Sequence, residues 1–546
     1  MTLRISTSVV KVRTVKRPEG RAPAPSLVAA LNTYVPLGTP AATVLGHFRV
    51  GVSVPSEPAY PRSTMTNTNE SVVLGTTSQG GELRGNALRL SRYSAAFEIY
   101  DSRLVLRLSE VLTNFKIVAN ERTLYSGRAV VSSVLNMGTM MVCEATLDES
   151  GWLEVDLSGL KNGDGSLAGQ YADFIRRWEK NYKVAEPYKI VVADMETLFM
   201  DLHLWLDQVE LGIRASPSDD RLKLEQAVTD ELAPAIIPSI DILFEKFESA
   251  AESLGPDLEP FHSSYMRRHL HPLVLCAPFP HRTFYKPLGY AGDYEMVNMI
   301  ARDGHDGGSL YAKIVNCWFL KQAPSEAHRN RLRYLEKKLL EETLRVIRAG
   351  RQPRICNLAC GPAVEVQTFL ADQTTSDQAH FTLIDFNDET LEHVRTRLNS
   401  LKAQHGRNTS VRCVKKSVQN ILRESARTVE RAAGDQYDFV YCAGLFDYLP
   451  DLVCRSLTDI LYDWVAPGGL LLVTNVEPSN PRRKGMEHLL DWHLIYRTGQ
   501  QFRTLQPRRS PADWVAVRTD VTGVNLFLEA RKPDHAQQND HQPARI

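Results

Sequence analysis

The sequence has no net charge and few cysteines, and each absence excludes a class of protein. Its 546 residues include 64 Lys and Arg against 64 Asp and Glu, so no overall positive field concentrates nucleic acid or an anionic membrane. The eight cysteines are scattered and contain no CxxC pair, which argues against a zinc knuckle and a disulfide framework. We predict neither nucleic-acid binding nor a metal site.

Long apolar runs are also missing. The best candidate for a membrane segment, residues 25–46, is broken by Asn32, Pro36 and Pro40, whereas a membrane-spanning helix needs about 20 predominantly apolar residues. Basic residues recur through Arg21 before any apolar run, unlike the compact pattern of a signal peptide. We therefore expect a cytoplasmic protein without an integral membrane segment.

The composition changes several times along the chain, which predicts a multidomain protein. Short β-type runs with turn signals come first, helical spacing follows, and strand-length apolar runs then alternate with helical patterns, as in a doubly wound parallel sheet. The predicted regions are a disordered leader (1–70), a β-barrel-like regulatory module (71–160), a helical region (165–255), a helical cap of the active site (256–350), a Rossmann-like domain (351–532) and a disordered tail (533–546).

A tight turn of small residues is the main local motif of the Rossmann-like region. Residues 354–363 read Arg-Ile-Cys-Asn-Leu-Ala-Cys-Gly-Pro-Ala, and a helix is predicted from about Val364. The small side chains of Ala359, Gly361 and Ala363 let the backbone approach a ligand closely, and the helix N-terminus offers free N–H groups. Asn357 can orient a ligand by hydrogen bonds. These four residues are predicted to bind a cofactor.

Asp385 ends the next apolar run, 381–384, at about the distance of one βαβ unit from the turn. An acid at the tip of the second strand can accept both hydroxyls of a ribose. A helix cap or an exposed turn is the alternative interpretation of such an acid. Its position after the small-residue turn favours ribose binding, and we include the adjacent Phe386 in the cofactor site.

Two later strands complete a pattern that resembles the class I S-adenosylmethionine (SAM)-dependent methyltransferase superfamily. They are residues 437–442, which lead into 443–449, and residues 461–473, which contain the turn Ala-Pro-Gly-Gly at 466–469. The superfamily's first motif normally reads acid-x-Gly-x-Gly-x-Gly, whereas this chain has Asn357 and Ala363 at its two ends. An NAD-dependent Rossmann enzyme is the rival interpretation, and the Pro-Gly-Gly turn favours the methyltransferase.

The resemblance implies a Rossmann-like fold and S-adenosyl-L-methionine as cofactor. In the superfamily's geometry, Ser417 and Val418 occupy the adenine-binding position after the third strand, where an acid is common. Cys442 and Gly444 lie at the end of the fourth strand and are also predicted to bind the cofactor.

Three further segments, 285–296, 328–331 and 488–497, resemble bacterial proteins of extracellular-factor 3-hydroxypalmitic acid methyl ester biosynthesis. They read Tyr-Lys-Pro-Leu-Gly-Tyr-Ala-Gly-Asp-Tyr-Glu-Met, His-Arg-Asn-Arg and His-Leu-Leu-Asp-Trp-His-Leu-Ile-Tyr-Arg. The likeness covers most of the chain from about Ser71. It implies O-methylation of a carboxylic acid, such as a free or carrier-bound 3-hydroxy fatty acid, to give a quorum-sensing methyl ester. A homodimer is compatible with this interpretation.

A carboxylate acceptor is already ionised near neutral pH and needs no general base. It does need a cationic clamp, for which Lys286, Arg329, Arg331 and Arg497 are candidates. Tyr290 is predicted to close the cofactor pocket, and Arg329 is predicted to bind the cofactor. The catalytic candidates are Lys286, His493 and Tyr496, the last two because they follow the fifth strand's carboxyl end, where ligands lie in open α/β sheets. His493 would be the general base for a hydroxyl or amine acceptor.

The predicted β module faintly resembles a PilZ barrel, the cyclic-di-GMP receptor fold, between Gly85 and Tyr100. Residues 89–94 lack the acid and glycine of the PilZ motif, and the Arg-x-x-x-Arg pattern ending at Arg107 lies on the wrong side of it. We therefore predict a degenerate regulatory or docking module. Two alternative functions stay open: a natural-product O- or N-methyltransferase with a polar acceptor, and a non-catalytic SAM-binding regulatory protein.

Overall fold

The computed structural model describes residues 71–100, 104–119, 122–136, 140–153, 168–169, 171–172, 175, 184–217, 220–425 and 436–534. The expected leader and almost all of the expected tail lie outside the described residues. Every described residue belongs to one compact unit, Ser63–Ile546.

The N-terminal module is a closed barrel of six antiparallel strands in the order β1-β2-β3-β6-β5-β4. Apolar side chains alternate along the strands, so that Met141, Cys143, Ala145 and Leu147 of β6 all point into the barrel core. The strands are β1 (Ser71–Thr76), β2 (Glu82–Leu90), β3 (Ser94–Ile99), β4 (Val111–Ala119), β5 (Arg122–Asn136) and β6 (Met141–Leu147). The expected small β-barrel is confirmed, and its likeness to PilZ stays a prediction.

A block of helices follows the barrel and packs around one short apolar helix, α6 (Leu310–Lys321). Nearly every side chain of α6 is buried, among them Trp318, because neighbouring helices surround it. Ile240, Leu243, Phe244 and Phe247 follow the i, i+3, i+4, i+7 spacing of one helix face and lie in α2. The helices are α1 (Glu186–Arg214), α2 (Arg221–Glu252), α3 (Glu259–Val274), α4 (Pro278–Tyr285), α5 (Tyr294–Arg302), α6 (Leu310–Lys321) and α7 (Ala323–Arg348).

The C-terminal region contains a seven-stranded sheet in the order β12-β13-β11-β10-β7-β8-β9. Its strands are β7 (Arg354–Leu358), β8 (His380–Asp385), β9 (Ser410–Lys415), β10 (Tyr437–Cys442), β11 (Val465–Val476), β12 (Val515–Thr519) and β13 (Asn525–Arg531). The expected Rossmann-like sheet is confirmed. Strand β13 runs antiparallel between β11 and β12, a departure from the doubly wound parallel sheet of dinucleotide-binding domains.

Helices cover both faces of this sheet. On β10, Phe439 and Tyr441 face one core with Leu335 of α7, while Val440 and Cys442 face the other core. The helices that follow the sheet strands are α8 (Val364–Asp372), α9 (Asp388–His405), α10 (Val418–Ser425), α11 (Asp451–Trp464), α12 (Arg483–Leu490) and α13 (Gly499–Arg503). Within the part of the chain that the structure describes, no helix has both the length and the apolar character to cross a membrane.

The strand order reverses between β7 and β10. From β7 the chain moves outward to β8 and β9, and it then returns to the other side of β7 to form β10 and β11. Such a reversal opens a crevice at the carboxyl ends of the parallel strands, where ligands bind in open α/β sheets.

Candidate functional site

A cavity of about 1920 Å³, including its opening to solvent, lies in this crevice. Its walls come from the turns after β7, β8, β9, β10 and β11, from the helices α2 and α4 to α7, and from the barrel residues Gln79, Arg107 and Leu108. The barrel, the helical block and the sheet therefore all contribute to the cavity wall.

The small-residue turn after β7 forms the cavity floor. Ala359, Gly361 and Ala363 all have left-handed backbones, with φ of 56°, 51° and 51°. A side chain built on Gly361 would meet no heavy atom within 4 Å, so open space adjoins the backbone there. Asn357, Ala359, Gly361 and Ala363 all line the cavity, as expected for a backbone cradle.

Asp385 lies at the carboxyl end of β8 and is 5% exposed. Its two oxygens accept hydrogen bonds from the amides of Gly361, at 3.2 Å, and Asn387, at 3.0 Å. Burial raises the pKa of Asp385, and these amides together with the charge of Arg107 oppose that rise. A carboxylate has about four acceptor positions, so acceptor capacity is left for a ligand's hydroxyl groups.

A second buried acid, Glu365, lies beneath the turn. Its Oε1 accepts hydrogen bonds from Asn357 Nδ2, at 3.0 Å, and from the Tyr441 hydroxyl, at 2.7 Å. Burial raises the pKa of Glu365 to about 6. The first turn of α8 therefore places a carboxyl group next to Asn357. Sequence reasoning missed Glu365, for which an acid at the start of an apolar helix was the available signal.

Asn357 has one unsatisfied atom. Its Oδ1 is buried and has no hydrogen-bond partner among the described residues. Buried polar atoms normally have a partner, so this oxygen is suited to accept a hydrogen bond from a ligand or an ordered water.

Two aromatic rings cover the Asp385 end of the cavity. The rings of Tyr290 and Phe386 lie 5.2 Å apart, and burial raises the pKa of Tyr290 above its usual range. The guanidinium carbon of Arg107 lies 4.6 Å from the Phe386 ring centre and 5.1 Å from that of Tyr290. Ser417 and Val418, in the turn after β9, line the same cavity.

Three of the four candidate cations are bound elsewhere in the protein. Lys286 Nζ donates to the carbonyls of Leu490, at 3.1 Å, and Phe284, at 3.3 Å, and burial lowers its pKa to about 7. Arg329 is paired with Glu326 at 2.8 Å. None of these side chains lines the cavity.

Arg497 is the third candidate cation that is bound elsewhere in the protein. It pairs with Asp451 at 2.8 Å and donates to the carbonyls of Phe446 and Leu449. It too lies outside the cavity lining, so its charge serves to hold the chain after β10 in place.

Arg331 is the fourth candidate and lines the cavity from α7. The Arg331 side chain is 9% exposed, and its Nη2 lies 2.9 Å from His328 Nδ1. Among the described residues, no carboxylate forms an ion pair with it. A side chain built on Gly444, whose φ is 90°, would meet the Arg331 guanidinium at 3.1 Å. Glycine at the end of β10 therefore lets an unpaired guanidinium reach the cavity.

His493 and Tyr496 lie outside the cavity lining, as does Cys442, which is buried in the sheet core. His493 Nε2 lies 3.1 Å from Asp491 Oδ1, and the Tyr496 ring lies 4.5 Å from the Arg483 guanidinium.

Asp491 is fully buried between the barrel and the helical block, where it accepts a hydrogen bond from Thr146 of the barrel. Burial alone would raise the pKa of Asp491, but Arg267, His493 and Lys286 hold it well below its usual range. The structure thus brings the predicted residues Lys286 and His493 to an ionic cluster outside the cavity.

Asp447 and Tyr448, in the turn after β10, line the cavity and were not predicted as site residues. Asp447 is 3% exposed, and its Oδ1 accepts a 2.7 Å hydrogen bond from the Val476 amide. Burial raises the pKa of Asp447, and the charge of Arg331 opposes that rise. Their position after the fourth strand of a parallel sheet was the available signal.

The part of the cavity that the helical block forms is lined mainly by apolar side chains, together with Gln322 and Arg482. It extends among the helices, where side chains of α2, α4, α5, α6 and α12 meet. Its lining includes Phe244, Phe279, Met296, Ile300, Trp318, Phe319, Met486 and Leu489.

No protein-family model matches the chain, and no curated protein matches it. Among solved structures, a possible exported protein from Bordetella parapertussis is similar at 16% identity, covering 58% of this chain and 99% of that one, with a TM-score of 0.35.

Two further structures are similar to parts of the chain. Magnesium protoporphyrin IX methyltransferase from Synechocystis PCC 6803 with bound SAH shares 12% identity over 38% of this chain and 84% of its own, with a TM-score of 0.26. The SAM-dependent methyltransferase SibL, in its apo form, shares 16% identity over 62% and 96%, with a TM-score of 0.29. The function is therefore inferred from the geometry of the cavity.

Proposed function

We propose that this protein is a SAM-dependent methyltransferase that methylates a carboxylic acid with an apolar chain, such as a 3-hydroxy fatty acid. The observation that carries the proposal is a single cavity with two different ends. One end has a buried acid beside a left-handed backbone turn, and the other is lined by apolar side chains of the helical block. The first end suits a nucleoside cofactor, and the second suits an apolar acceptor.

The residues of the polar end fit the parts of SAM. Asp385 would accept the ribose hydroxyls, and the rings and side chains of Phe386, Ser417 and Val418 would contact the adenine. The open backbone at Gly361 and the unsatisfied Asn357 Oδ1 would contact the ribose and amino-acid portion. When bound, SAM supplies an activated methyl group on a sulfonium.

The positions of Asp385 and Arg331 support one orientation of this cofactor. Strand β7 lies between β8, which ends at Asp385, and β10, which is followed by Gly444 and the Arg331 guanidinium. A ligand that crosses the end of β7 with its ribose at Asp385 would bring its amino-acid carboxylate to Arg331. A charge-assisted pair would then neutralise the one unpaired guanidinium of the described cavity wall.

Two observations support a carboxylic acid with an apolar chain as the methyl acceptor: the apolar lining of one end of the cavity, and the location of His493. A carboxylate needs no general base, and His493, the predicted base for other acceptors, is hydrogen-bonded to Asp491 outside the cavity. The surrounding side chains align the acceptor and exclude water, which supplies much of the catalysis of such a displacement.

Asp447 favours a second candidate function, methylation of a hydroxyl or amine. Its carboxylate lines the cavity and could take the acceptor's proton as a general base. Asp447→Asn separates the two functions. A hydroxyl or amine acceptor should lose most of its methylation, whereas a carboxylate acceptor should keep it, because the Asn side-chain oxygen can still accept the hydrogen bond from the Val476 amide.

The main experiment is incubation of the purified protein with methyl-labelled SAM and lipid extract, followed by mass spectrometry of labelled products. A labelled methyl ester supports the first function, and a labelled ether or methylamine supports the second. Binding of S-adenosylhomocysteine (SAH) without any labelled product would support the non-catalytic regulatory alternative. Calorimetry that shows no binding of SAM or SAH would overturn the whole assignment.

A further inference from the structure

The barrel reaches the cavity through the segment 104–110, which connects β3 to β4. Leu108 donates its amide to the Tyr448 carbonyl at 3.2 Å, after β10, and the Ser109 hydroxyl donates to the His493 carbonyl at 2.9 Å, after β11. Arg107 lies over Phe386, after β8. One barrel segment thus touches the turns after three different sheet strands.

One hydrogen bond and one ion pair within the barrel hold the Arg107 side chain, whose Nε has no hydrogen-bond partner among the described residues. Its Nη2 donates to the Ser78 hydroxyl at 2.7 Å, and its Nε lies 3.7 Å from the Glu110 carboxylate. Glu110 is fully buried and also accepts hydrogen bonds from the Ser78 amide and hydroxyl and from the Arg107 amide. Because this network lies within the barrel, it sets the guanidinium's position independently of any ligand.

The fixed guanidinium faces two aromatic rings that cover Asp385. Arg107 itself lines the cavity and is 5% exposed. A guanidinium above an aromatic face is attracted by the ring's quadrupole, so Arg107 restrains Phe386 and Tyr290. Its positive charge also favours the ionised form of the buried Asp385 carboxyl.

We propose that Arg107 is a positioning residue of the nucleoside pocket, and that the barrel is a structural wall of that pocket. Arg107 holds the rings of Phe386 and Tyr290 against the nucleoside at Asp385. This inference rests on the proposed function, because it presupposes a nucleoside cofactor. It assigns the barrel a part in cofactor binding that is separate from any ligand of its own.

The test measures binding of SAH and of 5′-methylthioadenosine to the full chain by calorimetry. Methylthioadenosine keeps the nucleoside and lacks the amino-acid carboxylate. Arg107→Ala should lower the affinity for both ligands by a similar factor, roughly 3- to 30-fold. Arg107→Lys should restore part of this loss, because the cation is kept. The matched control is Arg89→Ala on β2, whose side chain is 52% exposed and pairs with Glu144 and Asp257; it should leave both affinities unchanged.

A double-mutant cycle keeps the test decisive if Arg107→Ala folds poorly. Arg107→Lys and Phe386→Leu should each lower the affinity for methylthioadenosine. In the double variant, the fold-loss of affinity should be smaller than the product of the two single fold-losses. The role of Arg107 would be overturned if the Arg107→Ala variant bound both ligands with wild-type affinity, or if it lost affinity for SAH alone. Either result would leave the methyltransferase proposal intact. If the wild-type protein bound neither SAH nor methylthioadenosine, both the role of Arg107 and the methyltransferase proposal would be overturned.

Discussion

Ala359 and Ala363 adopt backbone conformations that glycine adopts far more readily. Their φ values of 56° and 51° lie in the left-handed region, and Ala363 is buried. A non-glycine residue held there is strained by roughly 1–3 kcal/mol, and such strain clusters at ligand sites. The altered glycine motif therefore keeps a left-handed backbone at both alanines.

Replacing Ala363 with glycine should stabilise the protein. Relief of about 1–2 kcal/mol of left-handed strain exceeds the roughly 0.5–1 kcal/mol that glycine costs through chain entropy. We expect the free energy of unfolding to rise by about 0.5–1 kcal/mol in chemical denaturation. Ala371→Gly, in the regular helix α8, is the matched control and should lower it. A loss of stability in Ala363→Gly would contradict the strain argument.

Arg331 is the cation expected to hold the amino-acid carboxylate of the cofactor. Arg331→Ala should lower the affinity for SAH by about 10- to 100-fold, the range for the loss of a charged hydrogen bond. Binding of 5′-methylthioadenosine should stay close to the wild-type value, because that ligand has no carboxylate. Calorimetry with the two ligands measures the difference. Equal losses for both would place the Arg331 contact away from the carboxylate.

At the scale of elements, the ends of strands and helices could be predicted where the sequence pattern is local. The order β7, small-residue turn, α8, β8 and Asp385 follows from apolar periodicity and small residues within some 30 positions. The predicted residues Tyr290, Phe386, Ser417, Val418 and Gly444 also line the cavity. Four of them lie at or just after strand ends, which local patterns encode, whereas Tyr290 lies in the turn between α4 and α5.

The role of each cation could not be predicted in this way. Lys286, Arg329 and Arg497 look as suitable as Arg331 in the sequence, and only folding reveals which carbonyls and carboxylates surround them. Arg107 was overlooked as a site residue because it reaches Phe386 across 279 positions of the chain. No local pattern encodes a contact of that span.

The Asp491 cluster joins barrel strand β6 to helices α3 and α12. Asp491 pairs with Arg267 at 3.1 Å and lies 3.7 Å from Arg128. Asp491→Asn should lower the free energy of unfolding by about 3–5 kcal/mol, because it leaves buried guanidinium groups without their charge partner. Glu149→Gln, which breaks a partly exposed pair with Arg268, should change it by less than about 1 kcal/mol.

The pH dependence of stability offers a further check on the same cluster. Because the folded-state pKa of Asp491 is well below the unfolded value, its contribution is present above the unfolded pKa of about 4. It is lost as pH falls through the depressed folded-state value. The Asn variant should lack this part of the acid destabilisation in denaturation curves measured at several pH values. Parallel curves for both proteins would contradict the assignment.

At the scale of the whole molecule, three regions form the cavity together. The barrel, the helical block and the turns of the sheet each contribute lining residues. A bound cofactor should therefore slow hydrogen exchange in the barrel segment that carries Leu108 and Val111, whose amides bond to Tyr448 and Gly289. Strand β3, Ser94–Ile99, is the internal control and should be unaffected.

Hydrogen-exchange mass spectrometry with saturating SAH tests this expectation. Slower exchange in peptides covering 104–119, with no change in β3, would support a shared cavity. Protection confined to the sheet turns would show that the barrel is energetically independent of the cofactor.

The bond between Ser109 and His493 spans 384 positions of the chain, and this has a consequence for biosynthesis. Ribosomes add about 5–20 residues per second, so the barrel would precede its partner strand ends by roughly 20–80 s. During that interval Arg107, Leu108 and Ser109 have no sheet turns to contact. The cavity can be completed only after translation has passed His493, so a ribosome that stalls before this point would leave the barrel segment 104–110 without its partners.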